Sequence, residues 1–343
     1  MRQIRVLVVE DSLVFRELLV QRLNADPAIT VVATAKDPFE ARDAIIEHKP
    51  DVMTLDIELP RMNGIEFLRK LMPQYPLPVI VISALSDKVF DALGAGAVDF
   101  VAKPSGANRE QLEAFIKNEL LVKVKVASIA KVGGRKKLPL EAPNQPLGNG
   151  NRDLIVAIGA STGGTEAIAT VLKEFGPDIP GVVIVQHMPP GFTGMYATRL
   201  NEQCRVKVKE AQSGDLVVPG QVLIAPGGDA HMHLVKKNGV YQIVNRPAPK
   251  VNGHCPSVEV LFQSVAEVAK DRAVGIILTG MGGDGAKGLL AMREAGAHTI
   301  GQDESTCVVY GMPKVAYDIG AVEYQEKLSD IAKRTYMLLS KMQ

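Results

Sequence analysis

The hydrophobic positions of the first 125 residues form short apolar runs that alternate with segments of helical spacing. The runs are IRVLVV, TVVATA, DVMTLD, PVIVIS and AVDFVA, which begin at residues 4, 30, 51, 78 and 97. Apolar residues at helical spacing occupy the intervening segments 13–24, 38–47, 64–71 and 87–93, and the segment from residue 109 onward. Strands that alternate with helices in this way predict an α/β domain with a parallel, doubly wound (βα)5 sheet.

A segment without periodicity separates this region from the rest of the chain. Residues 127–153 read ASIAKVGGRKKLPLEAPNQPLGNGNRD, and such a composition buries too little apolar surface to offset the entropy of ordering. We therefore predict a first domain at residues 1–125, a linker at 126–152 and a second domain at 153–343.

The alternation of apolar runs and helices resumes in the second domain. Its runs are DLIVAIGA, GVVIVQH, QVLIAP, AVGIILTG and AHTIGQD, and Asn238-Gly239 lies between two alternating segments, HMHLVKK and VYQIVN. An Asn-Gly pair in that context predicts a β-hairpin. We expect a second doubly wound α/β domain, with a Rossmann-like parallel sheet that carries the antiparallel hairpin at its edge.

Composition narrows the class of protein and its partners. Apolar residues make up 46% of the 343 residues and charged residues 22%, as in globular proteins. The 39 Lys and Arg nearly cancel the 38 Asp and Glu, so no overall positive field favours nucleic acid. The three cysteines lack CxxC spacing, and no signal peptide or long apolar run is present. We expect a cytoplasmic protein that does not insert into membranes or bind nucleic acid.

Five polar residues follow the predicted strands of the first domain. Glu10 and Asp11 follow the first strand, Asp56 ends the third, Ser83 ends the fourth and Lys103 follows the fifth. The carboxyl ends of parallel strands share one edge of the sheet, so we expect these side chains to converge. A single strand-end Asp is often only a turn residue, but clustered carboxylates need a hard cation such as Mg²⁺ and could accept a phosphoryl group.

The segments VVEDS, DVMTLDIELPRMNG, ISA and AKPS resemble the receiver domain of two-component response regulators, whose fold is flavodoxin-like. The resemblance implies that Asp56 accepts the phosphoryl group and that Glu10, Asp11 and Asp56 bind Mg²⁺. It also implies that the Ser83 hydroxyl follows the phosphoryl group and that Lys103 is its counter-charge. Two features depart from the family: Glu10 stands where many receivers have Asp, and the helix in DKVFDALG is short.

In the second domain, Ser161 lies in the sequence GASTG, between a predicted strand and a predicted helix. The motif G-x-S-x-G at such a turn exposes a nucleophilic serine, and backbone N–H groups at the helix start could bind an oxyanion. The alternative is a helix cap. The spacing does not fit a dinucleotide fingerprint, and the absence of a G-K-[ST] sequence excludes a Walker A loop.

Partners for Ser161 follow two other strands. His187 follows GVVIVQ, and Asp284 lies in the loop after VGIILTG, so serine, imidazole and carboxylate could meet at one edge of the sheet. Met281 in the same loop could offer a backbone N–H. Competing histidines have other interpretations: His231 and His233 as exposed strand residues rather than metal ligands, and His254 near Ser257, which is predicted to cap a helix.

The segments IGASTGGTEAI, QHMPPGFT, APGG and LTGMGGDGAKGL, behind a receiver, resemble the chemotaxis-specific protein-glutamate methylesterases that also deamidate receptor glutamines. The resemblance implies Ser161 as nucleophile, His187 as base and Asp284 as the residue that orients it, with Thr162 and Met281 at the oxyanion. It implies no cofactor in this domain, methyl-accepting chemotaxis receptors as substrates, and the chemotaxis histidine kinase as phosphodonor. The unphosphorylated receiver would restrain the esterase, and phosphorylation would activate it.

Two other functions are compatible with parts of the pattern. A receiver could be joined to a module that binds a nucleotide at the Ser161 turn or acts on DNA, although no basic helix-turn-helix pattern is present. A general carboxylesterase would hydrolyse small esters at rates comparable to those with a protein ester. Labelling of Ser161 by a reactive-serine probe separates the esterases from the binding module.

Overall fold

A computed structural model describes residues 2–84, 87–104, 106, 109–133 and 153–342. The chain divides into two compact units, Met1–Lys136 and Lys137–Gln343. Each unit contains its own parallel sheet, as the alternation of strands and helices predicts.

The first unit is a five-stranded parallel sheet with the strand order β2-β1-β3-β4-β5. Its strands are β1 (Ile4–Val9), β2 (Ile29–Ala35), β3 (Val52–Asp56), β4 (Val79–Ser83) and β5 (Asp99–Ala102). Its helices are α1 (Leu13–Asn24), α2 (Pro38–His48), α3 (Gly64–Leu71), α4 (Lys88–Gly94), α5 (Arg109–Phe115) and α6 (Leu121–Ala127), and a π-helical turn, Ile116–Leu120, joins the last two. The central strands are buried on both faces, which explains their continuous apolar runs.

Polar side chains fix the starts of three helices in this unit. Ser12, Asp37 and Asn63 each accept hydrogen bonds from backbone N–H groups in the first turn of α1, α2 and α3. These caps satisfy donors that a helix leaves unpaired at its N-terminus. Two of these helices, α1 and α3, follow the strands β1 and β3, which lead to or carry the acidic side chains.

The predicted linker falls mostly outside the described residues. Helix α6 continues to Ala127, the second residue of the predicted linker, and the description stops at residue 133 and resumes at residue 153.

The second unit is a seven-stranded sheet with the strand order β14-β13-β12-β6-β7-β9-β8, and every neighbouring pair is parallel. Its strands are β6 (Ile155–Ala160), β7 (Gly181–Gln186), β8 (Lys207–Glu210), β9 (Gln221–Ile224), β12 (Ala273–Ile277), β13 (His298–Gln302) and β14 (Tyr324–Glu326). Its helices are α7 (Gly164–Glu174), α8 (Phe192–Gln203), α9 (Val258–Ala269), α10 (Ala286–Glu294), α11 (Met312–Asp318) and α12 (Ile331–Lys341). Within the described ranges, no helix combines the length and apolarity needed to cross a membrane.

The hairpin exists, but the expectation that it forms the edge of the parallel sheet is wrong. β10 (Ala230–Lys237) and β11 (Val240–Pro247) form a separate two-stranded sheet, and the edges of the parallel sheet are the short strands β8 and β14. The buried face of the hairpin, with Met232, Leu234 and Ile243, belongs to the same core cluster as α9. Alternation showed that the hairpin has one buried face, but it carries no information on whether a sheet or a helix covers that face.

Two glycines bring α9 close to its neighbours. A Cβ on Gly159 of β6 would lie 2.2 Å from Val258 Cγ1, and a Cβ on Gly288 of α10 would lie 2.7 Å from Phe262 Cβ and 2.9 Å from the Glu259 carbonyl oxygen. All three distances are too short for a real Cβ, so α9 can occupy its position only because these two residues lack side chains. This close packing matters for the site in the second unit, because the N–H groups at the N-terminus of α9 donate hydrogen bonds to Asp284.

We predict that Gly288→Ala destabilises the second unit by about 1–3 kcal/mol, because the added methyl group overpacks the α9–α10 contact. Gly194→Ala is the matched control, since Gly194 also lies within a helix but its Cβ would meet nothing closer than 3.6 Å. That control should be neutral or slightly stabilising, because alanine favours helices. Calorimetric unfolding of both variants tests the prediction, and equal unfolding temperatures would contradict it.

Candidate active site and acidic pocket

The structure brings four of the five predicted polar residues of the first unit into one cluster. Three carboxylate oxygens, one each from Glu10, Asp11 and Asp56, lie within 4.8 Å of one another. Lys103 Nζ lies 3.2 Å from both carboxylate oxygens of Glu10 and 3.3 Å from Asp56 Oδ2. Ser83, the fifth residue, is buried at the end of β4, and its carbonyl oxygen accepts a hydrogen bond from the Lys103 N–H.

The electrostatics of this cluster show an excess of negative charge. Burial, followed by the charge of Asp56, raises the pKa of Glu10 from 4.5 to about 7, although Lys103 opposes the shift. Burial would lower the pKa of Lys103, but Asp56 and Glu10 outweigh it and raise that pKa. The Lys103 ammonium also lies 4.3 Å from the centre of the Phe15 ring, a favourable cation–π distance. One lysine therefore does not neutralise the three carboxylates.

The donor set of the cluster fits a hard divalent cation. All three groups are carboxylates at the ends of strands or in the loop after β1, and oxygen ligands are those that Mg²⁺ and Ca²⁺ prefer. Asp56 is further held by its Oδ1, which accepts from the Glu58 N–H at 3.0 Å. Among the described residues, this is the one group of three ligand side chains close enough to share an ion. His231 and His233 are not part of such a group.

In the second unit, strand pairing places Ser161 beside His187. Ala160 is the register partner of Gln186, at the ends of the parallel strands β6 and β7, so the two following residues are neighbours. The His187 N–H donates to the Ala160 carbonyl oxygen, and Gln186 Nε2 donates to the carbonyl oxygens of both Ser161 and His187. These bonds fix the backbones that carry the hydroxyl and the imidazole.

The imidazole of His187 is joined to Asp284. Nε2 lies 2.8 Å from Asp284 Oδ2, and because an ionised carboxylate only accepts, Nε2 is the protonated nitrogen. Nδ1 is then the acceptor nitrogen, and it is buried without a hydrogen-bond partner. Strand register thus makes Ser161 and His187 neighbours, but Nδ1 accepts no hydrogen bond from Ser161 Oγ.

Asp284 is buried at the N-terminus of α9, where it collects donors. Its carboxylate accepts from the N–H groups of Val258 and Glu259, from Ser257 Oγ at 2.7 Å and from Asn252 Nδ2 at 2.9 Å. Burial by itself would raise the pKa of Asp284, but the hydrogen bond and charge of His187, together with the bonds from Asn252 and Ser257, lower it well below its usual range. The carboxylate therefore stays charged although only 2% of the residue is exposed.

The loops that carry Thr162 and Met281 are tied together next to Ser161. Thr279 Oγ1 donates to the Thr162 carbonyl oxygen, and the Ser161 N–H donates to the Thr279 carbonyl oxygen. A Cβ on Gly280 would lie 2.7 Å from Ser161 Cβ, so the backbone just before Met281 packs directly on the serine. Thr162 is buried, whereas the side chain of Met281 is 45% exposed.

Comparison with known proteins identifies both units. Residues 156–335, more than half of the chain, match the CheB methylesterase family, and residues 6–117 match the response regulator receiver domain. The chain belongs to the CheB methylesterase family. It is therefore an enzyme, a methylesterase that carries a receiver domain, and its acidic cluster and its Ser161 site lie within the two matched ranges.

Full-length relatives and a solved structure support this assignment. The protein-glutamate methylesterase/protein-glutamine glutaminase 2 of Syntrophomonas wolfei is 60% identical, with 100% of this chain and 99% of that protein covered. The protein of the same name, without the number, in Salmonella typhi is 47% identical, with 99% and 98% covered. The crystal structure of the Thermotoga maritima CheB methylesterase catalytic domain is similar with a TM-score of 0.53 and 39% identity, and it covers 54% of this chain and 98% of that one.

Some residues of the methylesterase site differ from what the sequence predicted. His231 is not an exposed strand residue: it is 1% exposed, its Nε2 donates to the Pro249 carbonyl oxygen, and its Nδ1 accepts from the Ser257 N–H. Ser257 does precede α9, but its hydroxyl makes no capping bond to the helix and donates to Asp284 instead. Asp284 supplies the cap from another loop.

The sequence predicted no role at this site for two further residues: Asn252 was not among the candidates, and His254 was only a competing histidine near Ser257. Asn252 bonds to Asp284, and the ring of His254 stacks on that of His187. The dipeptide Asn252-Gly253 is a turn signal that the sequence displays, but a local signal does not show which distant residues the turn contacts.

We predict that protonation of Glu10 stabilises the metal-free receiver domain. The folded state binds this proton more tightly than the unfolded chain, since the pKa rises from 4.5 to about 7, so the contribution is fully present below pH 4.5 and lost as the pH approaches 7. Calorimetry in chelator should show a smaller loss of receiver stability over this range for Glu10→Gln than for the unmodified chain. Glu17→Gln, at an exposed site on α1, is the control, and identical pH dependence in all three proteins would contradict the prediction.

Proposed function

We propose that this chain is a cytoplasmic, phosphorylation-activated protein-glutamate methylesterase and glutaminase that acts on methyl-accepting chemotaxis receptors through Ser161, His187 and Asp284. The observation that carries the proposal is the hydrogen bond from His187 to a buried, charged carboxylate, with Ser161 next to His187 on the adjoining strand. The names of the full-length relatives support the substrate class.

The proposed reaction begins with acyl transfer to Ser161. The hydroxyl attacks the side-chain carbonyl carbon of a glutamate methyl ester while Nδ1 of His187 takes its proton. The resulting imidazolium is stabilised by the Asp284 carboxylate at Nε2. The protonated Nδ1 then gives its proton to the leaving methoxide, so that methanol departs and an acyl-serine remains.

Water completes the proposed cycle. Nδ1 takes a proton from a water molecule, which attacks the acyl-serine carbonyl carbon. The bond to Ser161 Oγ then breaks, Nδ1 returns the proton to Oγ, and a receptor glutamate and the free hydroxyl of Ser161 are released. With a glutamine substrate the same steps release ammonia. Backbone N–H groups at the start of α7, near Thr162, and in the Met281 loop are the proposed donors to the oxyanion, because the Thr279 bonds hold these two loops against the serine.

In the receiver domain, we assign Asp56 as the phosphoacceptor and a chemotaxis histidine kinase as its phosphodonor. Glu10, Asp11 and Asp56 would hold Mg²⁺, which when bound offsets the negative charge of the carboxylates and of the incoming phosphoryl group. Lys103 already contacts two of these carboxylates and would pair with a phosphoryl oxygen, while Ser83 would donate its hydroxyl to another. A phosphoryl group need shift an equilibrium between receiver states by only a few kcal/mol to change the esterase rate severalfold or more.

We expect Ser161→Ala to lower methanol release from methylated receptor membranes by roughly 10⁴-fold or more, because the variant has no nucleophile. The fold should be unaffected, since the Ser161 bonds described above are made by its backbone. Ser340→Ala, on the exposed side of α12, is the control. A reactive-serine probe should label the unmodified chain and the control but not the variant, and full turnover in Ser161→Ala would refute the assignment.

We expect a small-molecule phosphodonor with Mg²⁺ to raise the esterase rate on the order of tenfold or more, and Asp56→Ala to abolish this stimulation. Chelation of Mg²⁺ should abolish it as well, because the carboxylates then lack their counter-ion. Asp43→Ala removes an exposed carboxylate of α2 and should respond like the unmodified chain. Unchanged stimulation in Asp56→Ala would exclude Asp56 as the phosphoacceptor.

A further inference from the structure

The ring of His254 stacks face to face on the ring of His187. The ring centroids are 3.7 Å apart, and the planes differ by 7°. Neutral aromatic rings prefer offset or edge-to-face arrangements to a close face-to-face contact. A π face is favourable, however, next to a ring that becomes a cation, and His187 becomes a cation in the reaction proposed above.

His187 requires such support because its ring is held by hydrogen bonds at one atom. Nε2 is bonded to Asp284, whereas Nδ1 has no hydrogen-bond partner. The torsion between Cβ and the ring of a histidine is broad, so a single bond leaves the ring plane free to tilt. A flat surface at 3.7 Å removes that freedom.

A two-residue turn presents His254. Val251 and His254 exchange both backbone hydrogen bonds, at 3.0 and 2.9 Å, and Asn252 and Gly253 between them have φ values of 52° and 85°. Positive φ at both central residues is the geometry of a type I′ turn, which Asn-Gly favours. The turn therefore holds His254 in one place at little conformational cost.

The same turn is also hydrogen-bonded to Asp284, and the residues on both sides of the turn are hydrogen-bonded to His231. Asn252 Nδ2 donates to Asp284 Oδ1. His231 binds the chain on both sides of the turn, through the Pro249 carbonyl oxygen and the Ser257 N–H. One short segment thus contacts both the imidazole and the carboxylate.

We propose that His254 is a positioning residue for the esterase reaction: its ring, held by the 251–254 turn, fixes the imidazole plane of His187 while His187 exchanges a proton with Ser161. This inference rests on the proposed function. His254 acts through His187 and not on the substrate, so its loss should lower kcat and leave KM nearly unchanged.

The test compares a variant that keeps a flat aromatic ring with variants that lack one. His254→Phe should retain kcat within about threefold, whereas His254→Leu and His254→Gln should lose roughly 10- to 100-fold, the range expected when a supporting contact to a reacting group is removed. His298→Leu is the matched control, since His298 pairs with Glu323 at the opposite end of β13 from the site.

A second readout does not depend on activity. The Nε2–H resonance of His187, assigned by its loss in His187→Gln, should exchange with water slowly in the unmodified chain, in His254→Phe and in His298→Leu. It should exchange roughly tenfold faster or more in the two variants without a ring, because a freer imidazole breaks its bond to Asp284 more often.

The outcomes separate the inference from the proposed function. An unmodified chain without methylesterase activity would overturn the proposed function, and the exchange rates would still decide the role of His254. The inference would be overturned if both His254→Leu and His254→Gln kept the kcat of the unmodified chain and its rate of exchange of the His187 Nε2–H with water. It would equally be overturned if His254→Phe lost as much kcat as those variants, since the flat ring would then not be what matters.

Discussion

The methylesterase site depends on one buried negative charge, the carboxylate of Asp284. Four donors from residues 252–259 surround it together with the His187 imidazole. Burial by itself would raise its pKa, but the hydrogen bond and charge of His187, with the bonds from Asn252 and Ser257, lower that pKa and keep the carboxylate ionised. The two backbone N–H donors belong to the N-terminus of α9, so the carboxylate serves as a cap contributed by a distant loop. The N-terminus of α9 and the protonated Nε2 of His187 are therefore linked through a single ionised group, because both donate hydrogen bonds to the same carboxylate.

The two sites of the chain use the carboxyl edge of a parallel sheet in opposite ways. In the receiver domain, three carboxylates meet one lysine, so negative charge is in excess and the pKa of Glu10 rises to about 7. In the methylesterase domain, one carboxylate meets an excess of donors, and the pKa of Asp284 falls. The first arrangement fits a bound cation, and the second fits the imidazolium that the proposed reaction forms at His187. Fold similarity alone would not distinguish these roles, because the chemistry lies in the balance of charges at each edge.

Much of this architecture could be predicted from the sequence, because strand runs and strand-end polar residues are local signals. The parallel sheets and the ends of β1, β3, β6 and β7 follow from the periodicity, and register then places Ser161 beside His187. The errors concern contacts between distant segments. His231 alternates as an exposed strand residue would, yet it is buried and its ring is bonded to Pro249 and Ser257. His254 follows a recognisable turn, but no local pattern indicates that its ring lies on one 67 positions earlier.

The order of the site residues in the chain has a consequence for biosynthesis, because Asp284 lies far beyond Ser161 and His187. Ser161 and His187 come from a single strand–helix–strand unit, whereas the bond between His187 and Asp284 spans 97 positions. Since chains are made from the N-terminus, a ribosome-bound polypeptide contains Ser161 and His187 well before the carboxylate of Asp284 has been synthesised. In the mechanism proposed above, a nascent or truncated chain that ends before residue 284 lacks the carboxylate that supports His187, so hydrolytic activity would arise only after that residue has been added.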